Sequence, residues 1–239
     1  MPPTIVLVHG AFAESASWDR VVRELQNAGH DVIAAANPLR GLAADAQSVT
    51  DLVSTVDGPV VLVGHSYGGM VITNVDANAG EITGLVYVAA FAPEPGESAF
   101  SLAQRFPGST LGDALRPVHR SNGTTDLYID REIFHEQFAA DVPAPEAARM
   151  AATQRPVTLE ALQAPSGERP LWRELPSWFL VAAQDRNIPG ELQHFMAHRA
   201  GARRTVELPS ASHAAAVSHP DATARLILEA ASAPVRAAA

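Results

Sequence analysis

Residues 59–69 constrain this chain more than any other stretch. They read Pro-Val-Val-Leu-Val-Gly-His-Ser-Tyr-Gly-Gly. Val60 to Val63 are four apolar residues, three of them β-branched, and suit a strand buried on both faces. The run stops at Gly64, and after Gly69 the apolar residues Met70, Val71, Ile72 and Val75 resume at helical spacing. A strand, a sharp turn and a helix with serine at the apex is the context of a nucleophile elbow. Residues two before and two after such a serine are crowded by it. Both are glycine here, Gly64 and Gly68, where a Cβ would clash. The alternative is a plain Gly-rich strand-to-helix turn, so the rest of the chain has to decide.

On either side the chain alternates strand and helix. Thr4–Val8 reads as a buried strand ending at His9-Gly10-Ala11-Phe12. Ser17 is placed to cap a helix whose Trp18, Val21, Val22 and Leu25 share one face, and Gly29 closes it. Residues 31–36 form a second strand, 43–56 a helix, and the elbow helix runs to about Asn78. A fourth strand covers 82–91. Such alternation implies right-handed crossovers and a parallel sheet.

The pattern breaks at Ala92-Pro93-Glu94-Pro95-Gly96. Residues 115–119 and 124–129 flank Ser121-Asn122-Gly123 as a hairpin, and short helices surround Phe134, Phe138 and Ala147. Strand–helix order returns at 177–183, with a helix from 191 to about Arg199, a strand at 204–208 and a last helix at about 220–230. The expected organisation is a core of residues 1–92 and 171–239 with a cap, or lid, of residues 93–170 inserted at the C-terminal edge of the sheet.

Composition removes several chemistries. No Cys is present, which excludes disulfides, thiolate nucleophiles and Cys-ligated metals. All 17 basic residues are Arg, so no lysine Schiff base or lysine general base exists. A formal charge of −9 argues against a nucleic-acid surface. No apolar run approaches a membrane span and no signal-type segment precedes the first strand, so a cytoplasmic location with no membrane partner is expected. Only the last few residues read as disordered.

A serine nucleophile needs a base, an acid to orient the base, and donors for an oxyanion. In a parallel sheet these belong at the C-terminal ends of strands. Asp185 directly follows one strand and His213 the next, giving the order Ser66, Asp185, His213. His219, before Pro220, is a rival base at a helix start. His194 and His198 lie at i, i+4 on one helix with no third ligand, which reads as a solvated face. Glu94 is the rival acid, and Asp185 has the alternative of a turn residue before Pro189. The oxyanion donors are expected to be the N–H of Tyr67, after the serine, and of Ala11, which Gly10 presents. His9 reads as a structural hydrogen-bonding residue.

With His9-Gly-Ala-Phe12, Gly64 to Gly69, Asp185 and His213 in this order, the chain resembles the α/β-hydrolase superfamily. Within it the likeness is to the compact esterase and hydroxynitrile-lyase group that includes the plant methylesterases. The match covers 9–18, 61–69, 185–189 and 212–220, while the middle third matches only in size and position. The resemblance implies an eight-stranded type of sheet, of which a chain starting at the family's third strand has about six strands. It also implies what this chain lacks: the lyases need a lysine near the catalytic histidine, and Ala214–Ala216 stand there.

The expected activity is therefore a serine hydrolase, a carboxylesterase acting on a small or medium apolar ester through an acyl-enzyme, with no cofactor and no metal. Lactonase, thioesterase, amidase and perhydrolase chemistry use the same groups, and a non-enzymatic small-molecule receptor on this fold is the alternative of a different class. Phe12, Phe100, Phe134, Phe138 and Trp172 are the expected pocket aromatics, with packing of the cap's own core as the competing role. Oligomeric state leaves no mark on the sequence.

Overall fold

Buried β-branched runs become strands and 3.6-period stretches become helices in a computed structural model that describes residues 1–234. In chain order the elements are β1 (Thr4–Val8), α1 (Asp19–Asn27), β2 (Val32–Ala35), α2 (Leu42–Val53), β3 (Pro59–His65), α3 (Tyr67–Thr73) and β4 (Glu81–Val88). There follow α4 (Ala99–Ala103), α5 (Leu111–Ala114), β5 (Leu115–His119), β6 (Thr125–Ile129), α6 (Phe134–Phe138), α7 (Ala144–Thr153), β7 (Val157–Thr158) and α8 (Leu159–Gln163). The chain closes with β8 (Ser177–Ala182), α9 (Gly190–Arg199), β9 (Arg204–Leu208), α10 (Ala215–Ser218) and α11 (Pro220–Ala231). The C-terminal residues expected to be disordered lie, for 235–239, outside the described residues.

Six strands form one parallel sheet in the order β2-β1-β3-β4-β8-β9. Residues of the central strands alternate between two cores, as a period of two requires. Val6, Val8, Val60 and Leu62 face α2, α3 and α9, whereas Ile5, Leu7, Val61 and Val63 face α1 and α11. The register sets Val8 beside Gly64, and His65 beside Val88. The turns leaving β1, β3 and β4 therefore emerge together at one edge of the sheet.

Residues between β4 and β8 contain a second, antiparallel sheet, β5-β6-β7, with short helices around it. Its hairpin turns at Gly123, whose φ of 87° only glycine adopts freely. Arg40, in the loop before α2, straps this segment to the main sheet. Its guanidinium donates to the buried Asp126 carboxylate at 2.6 Å and to Pro156 O at 2.6 Å.

Element ends differ from the sequence expectation for local reasons. β4 stops at Val88, not 91, because Ala89 turns the chain with a φ of 44°. α3 stops at Thr73 because Asn74 leaves helical geometry and accepts the Gly167 N–H at 2.8 Å. Ser17 does not cap α1: a 3₁₀ turn at Ser15–Trp18 intervenes, and the Ser17 hydroxyl donates to Glu14 O at 2.7 Å. Neither the two-residue β7 nor α10 was signalled by periodicity. Among the described residues no helix is long and apolar enough to cross a membrane.

Candidate active site

Ser66 occupies the turn between β3 and α3 with φ 55° and ψ −123°, a conformation side chains rarely adopt. Its glycine neighbours make that turn feasible. A Cβ on Gly64 would lie 2.6 Å from Gly68 O, and one on Gly68 would lie 2.3 Å from Val8 O. A Cβ on Gly10 would meet the Ser66 Cβ at 2.5 Å, so the loop after β1 lies directly against the serine.

His213 and Asp185 meet across the ends of β8 and β9. The His213 ring Nδ1 donates to Asp185 Oδ2 at 2.6 Å, with both side chains buried. A carboxylate only accepts, so this bond fixes the imidazole with its free lone pair on Nε2. Asp185 also accepts the N–H groups of Asn187 at 2.7 Å and Ile188 at 2.9 Å, and the Gln193 amide at 3.0 Å. His65, adjoining Ser66, donates from Nε2 to the His213 carbonyl at 2.9 Å, and the two rings stand 4.8 Å apart. Burial, and then His213, push the His65 pKa down to about 3, so the ring is neutral.

Tyr67 follows Ser66 in the chain, and Ala11 follows Gly10, where a Cβ would lie 2.5 Å from the Ser66 Cβ. Among the described residues neither the Ala11 nor the Tyr67 N–H has a protein acceptor, whereas the Phe12 N–H donates to Arg155 O at 3.1 Å. Tyr67 begins α3, where an N–H has no helical partner. The Tyr67 phenol points away into the core and donates to Asp45 Oδ2 at 2.9 Å; burial pushes both pKa values up.

The rival residues are engaged elsewhere. Glu94 pairs with Arg173. His194 is exposed and pairs with Glu207, and His198 is exposed on the same helix. His219 stands at the start of α11 beside Ser218 and Asp141. His9 is wholly buried; Nδ1 donates to Gly10 O at 2.9 Å and Nε2 accepts the Asn37 N–H at 3.1 Å, which holds the loop. Burial lowers its pKa to about 4.

Of the expected pocket aromatics, Phe138 lies edge-on to His213 at 4.8 Å and stacks on Phe134 at 5.0 Å. Phe12 directly follows Ala11, with a φ of 59°. It joins Ser17, Arg20, Glu146, Met150 and Val217 around a cavity of about 270 Å³ beside α1 and α7. Trp172 is buried and donates from its indole to Pro93 O at 2.8 Å, and Phe100 is 48% exposed on α4. His65, Asp45 and Gln193 are the contributors that sequence reasoning misses. Their contacts join distant segments, and no local pattern announces them.

A family model described as "Alpha/beta hydrolase family" matches residues 5–226. A carbendazim-hydrolysing esterase of Nocardioides sp. (strain SG-4G) is 39% identical over 110 residues, spanning 41% of this chain and 46% of that protein. Salicylic acid-binding protein 2 of Nicotiana tabacum is 26% identical over 94% of this chain and 95% of its own. Among solved structures, that of a pyrethroid hydrolase superposes with a TM-score of 0.79 at 25% identity, covering 97% of this chain and 98% of the other.

Proposed function

Because this chain belongs to the alpha/beta hydrolase family, we propose that it is a serine esterase that cleaves small or medium apolar carboxylic esters through an acyl-enzyme. The observation that carries the reading is the 2.6 Å bond from His213 to Asp185, set beside the strained Ser66 turn by His65. The relatives named as an esterase and as a pyrethroid hydrolase support ester cleavage.

In this reading Ser66 Oγ attacks the ester carbonyl carbon while His213 Nε2 takes the hydroxyl proton. Asp185 keeps the second ring proton on Nδ1 and stabilises the imidazolium. The Ala11 and Tyr67 N–H groups receive the developing oxyanion, each worth roughly 10²–10³ in kcat by analogy with such donors elsewhere. Collapse expels the alcohol, which takes the proton back from His213. Water, deprotonated by the same ring, then attacks the acyl-enzyme, and the carboxylic acid and free Ser66 are released.

Residues 93–170 act as the lid in this reading, with Phe138 and Phe134 as an apolar wall against the base and Phe12, Trp172 and Phe100 nearer its margins. The test pairs labelling by a fluorophosphonate probe with hydrolysis of p-nitrophenyl esters of rising acyl length. Ser66→Ala should abolish labelling and lower kcat by about 10⁴-fold or more while circular dichroism stays unchanged. Turnover near wild type in Ser66→Ala would overturn the reading.

A further inference from the structure

The Asp185 carboxylate is saturated. Its two oxygens accept four hydrogen bonds, from Asn187 and Ile188 N–H on Oδ1 and from Gln193 and His213 on Oδ2. The two backbone donors come with the turn out of β8. Gln193 is the only side chain other than His213 that donates to this carboxylate among the described residues. It sits eight positions further on, on the first turn of α9.

Its orientation is dictated by its other partners. Gln193 Oε1 accepts the Ala182 N–H at 3.0 Å, at the end of β8, and a backbone N–H can only donate. The amide nitrogen must then face Asp185, and it also donates to Ile188 O at 2.7 Å. Only 1% exposed and bonded three times, the side chain cannot turn without leaving a buried group unpaired.

We infer that Gln193 is a positioning residue for the proposed base. By occupying one lone pair of Oδ2 it leaves a single site there, and that site faces His213 Nδ1. The inference rests on the esterase reading above. Without the amide, His213 Nδ1–H can meet either lone pair of Oδ2 while Oδ1 stays held by Asn187 and Ile188, and the imidazole loses its single orientation. Aim of this kind acts on the chemical step and leaves substrate binding alone.

Two variants separate this role from simple packing. Gln193→Met keeps the volume and removes every hydrogen bond. Gln193→Glu keeps an acceptor for the Ala182 N–H but sets an oxygen against Asp185 Oδ2. Both should lower kcat per folded molecule by about 10–100-fold with KM within about twofold. Both should also displace or erase the low-field proton NMR line expected of His213 Nδ1–H in the wild type. Should either variant not fold, the other carries the test. A lowered melting temperature with kcat within about twofold of wild type and the NMR line unmoved would overturn the inference. Ser66→Ala, assayed alongside, separates the two failures. If it is inactive while the Gln193 variants match wild type, only the Gln193 inference falls; if it retains turnover, the esterase reading falls and takes this inference with it.

Discussion

His65 carries the main chain of His213: its ring Nε2 donates to the His213 carbonyl oxygen at 2.9 Å, across 148 residues of sequence. The residue before the proposed nucleophile thus anchors the proposed base. His65→Leu leaves that buried carbonyl unpaired and should cost about 1–3 kcal/mol of stability. Loss of the anchor should also lower kcat by about tenfold. His65→Gln, which keeps a donor, should recover part of both. Urea unfolding and steady-state kinetics on the two variants test this, and an unchanged His65→Leu enzyme would refute it.

Acid should unfold the protein through its buried histidines. Burial lowers the pKa of His9 to about 4 and that of His65 to about 3, against about 6.5 in the unfolded chain. Below pH 6.5 the unfolded state binds more protons, so stability falls with pH, down to about 4 for His9 and about 3 for His65. Each contributes up to about 1.4 kcal/mol per pH unit within its window. Asp45, pushed up by burial, acts in the opposite direction. The urea midpoint measured between pH 7 and 4 should drop steadily, and a flat profile would contradict the assignment of two neutral buried rings.

Glycines at the elbow should be irreplaceable where backbone confronts them. The Cβ of Gly68→Ala would lie 2.3 Å from Val8 O, and that of Gly69→Ala 2.1 Å from Phe91 O. Neither oxygen can retreat without moving the end of β1 or the turn after β4, so each change should cost about 3 kcal/mol or more, together with activity. Gly112→Ala, in α5 with nothing within 4 Å of its Cβ, should stay within about 0.5 kcal/mol of wild type. Thermal melts of the three variants provide the comparison.

Phe138 should govern which esters are accepted. It is 1% exposed, and its ring touches both His213 and Phe134. Phe138→Ala should cost about 3–5 kcal/mol. It should also raise kcat/KM for bulky relative to short p-nitrophenyl esters. Phe100→Ala, at an exposed position, should leave stability within about 0.5 kcal/mol. An unaltered ester ranking in Phe138→Ala would remove it from the pocket.

Much of this architecture is legible in the sequence because its causes are local. The demand on Gly64 is local, since a Cβ there would meet the backbone of Gly68, and β1 ends where its apolar run ends. The demand on Gly68 comes from Val8 O and depends on the fold. The Asp185–His213 contact is legible because each residue stands in the loop that follows a strand. By contrast, Gln193 reads as an ordinary helix residue, and Tyr67 gives no sign that its phenol reaches Asp45. Ser17 shows the opposite failure: a residue of the right type for a cap is diverted by a 3₁₀ turn that periodicity does not foresee. The short β7 exists only because β6 offers it a partner.

The bonds around His213 have a mechanical consequence. The Ala214 N–H donates to Phe138 O at 3.0 Å, and the Ser212 hydroxyl donates to Asp141, so the residues on both sides of His213 are fastened to α6 and the loop after it. A displacement of α6 large enough to admit a bulky molecule would drag the imidazole with it. The proposed lid and the proposed base share one hinge. Transplanting a foreign segment into positions 93–170 would shift the His213 imidazole even with Ser66, Asp185 and His213 themselves unchanged.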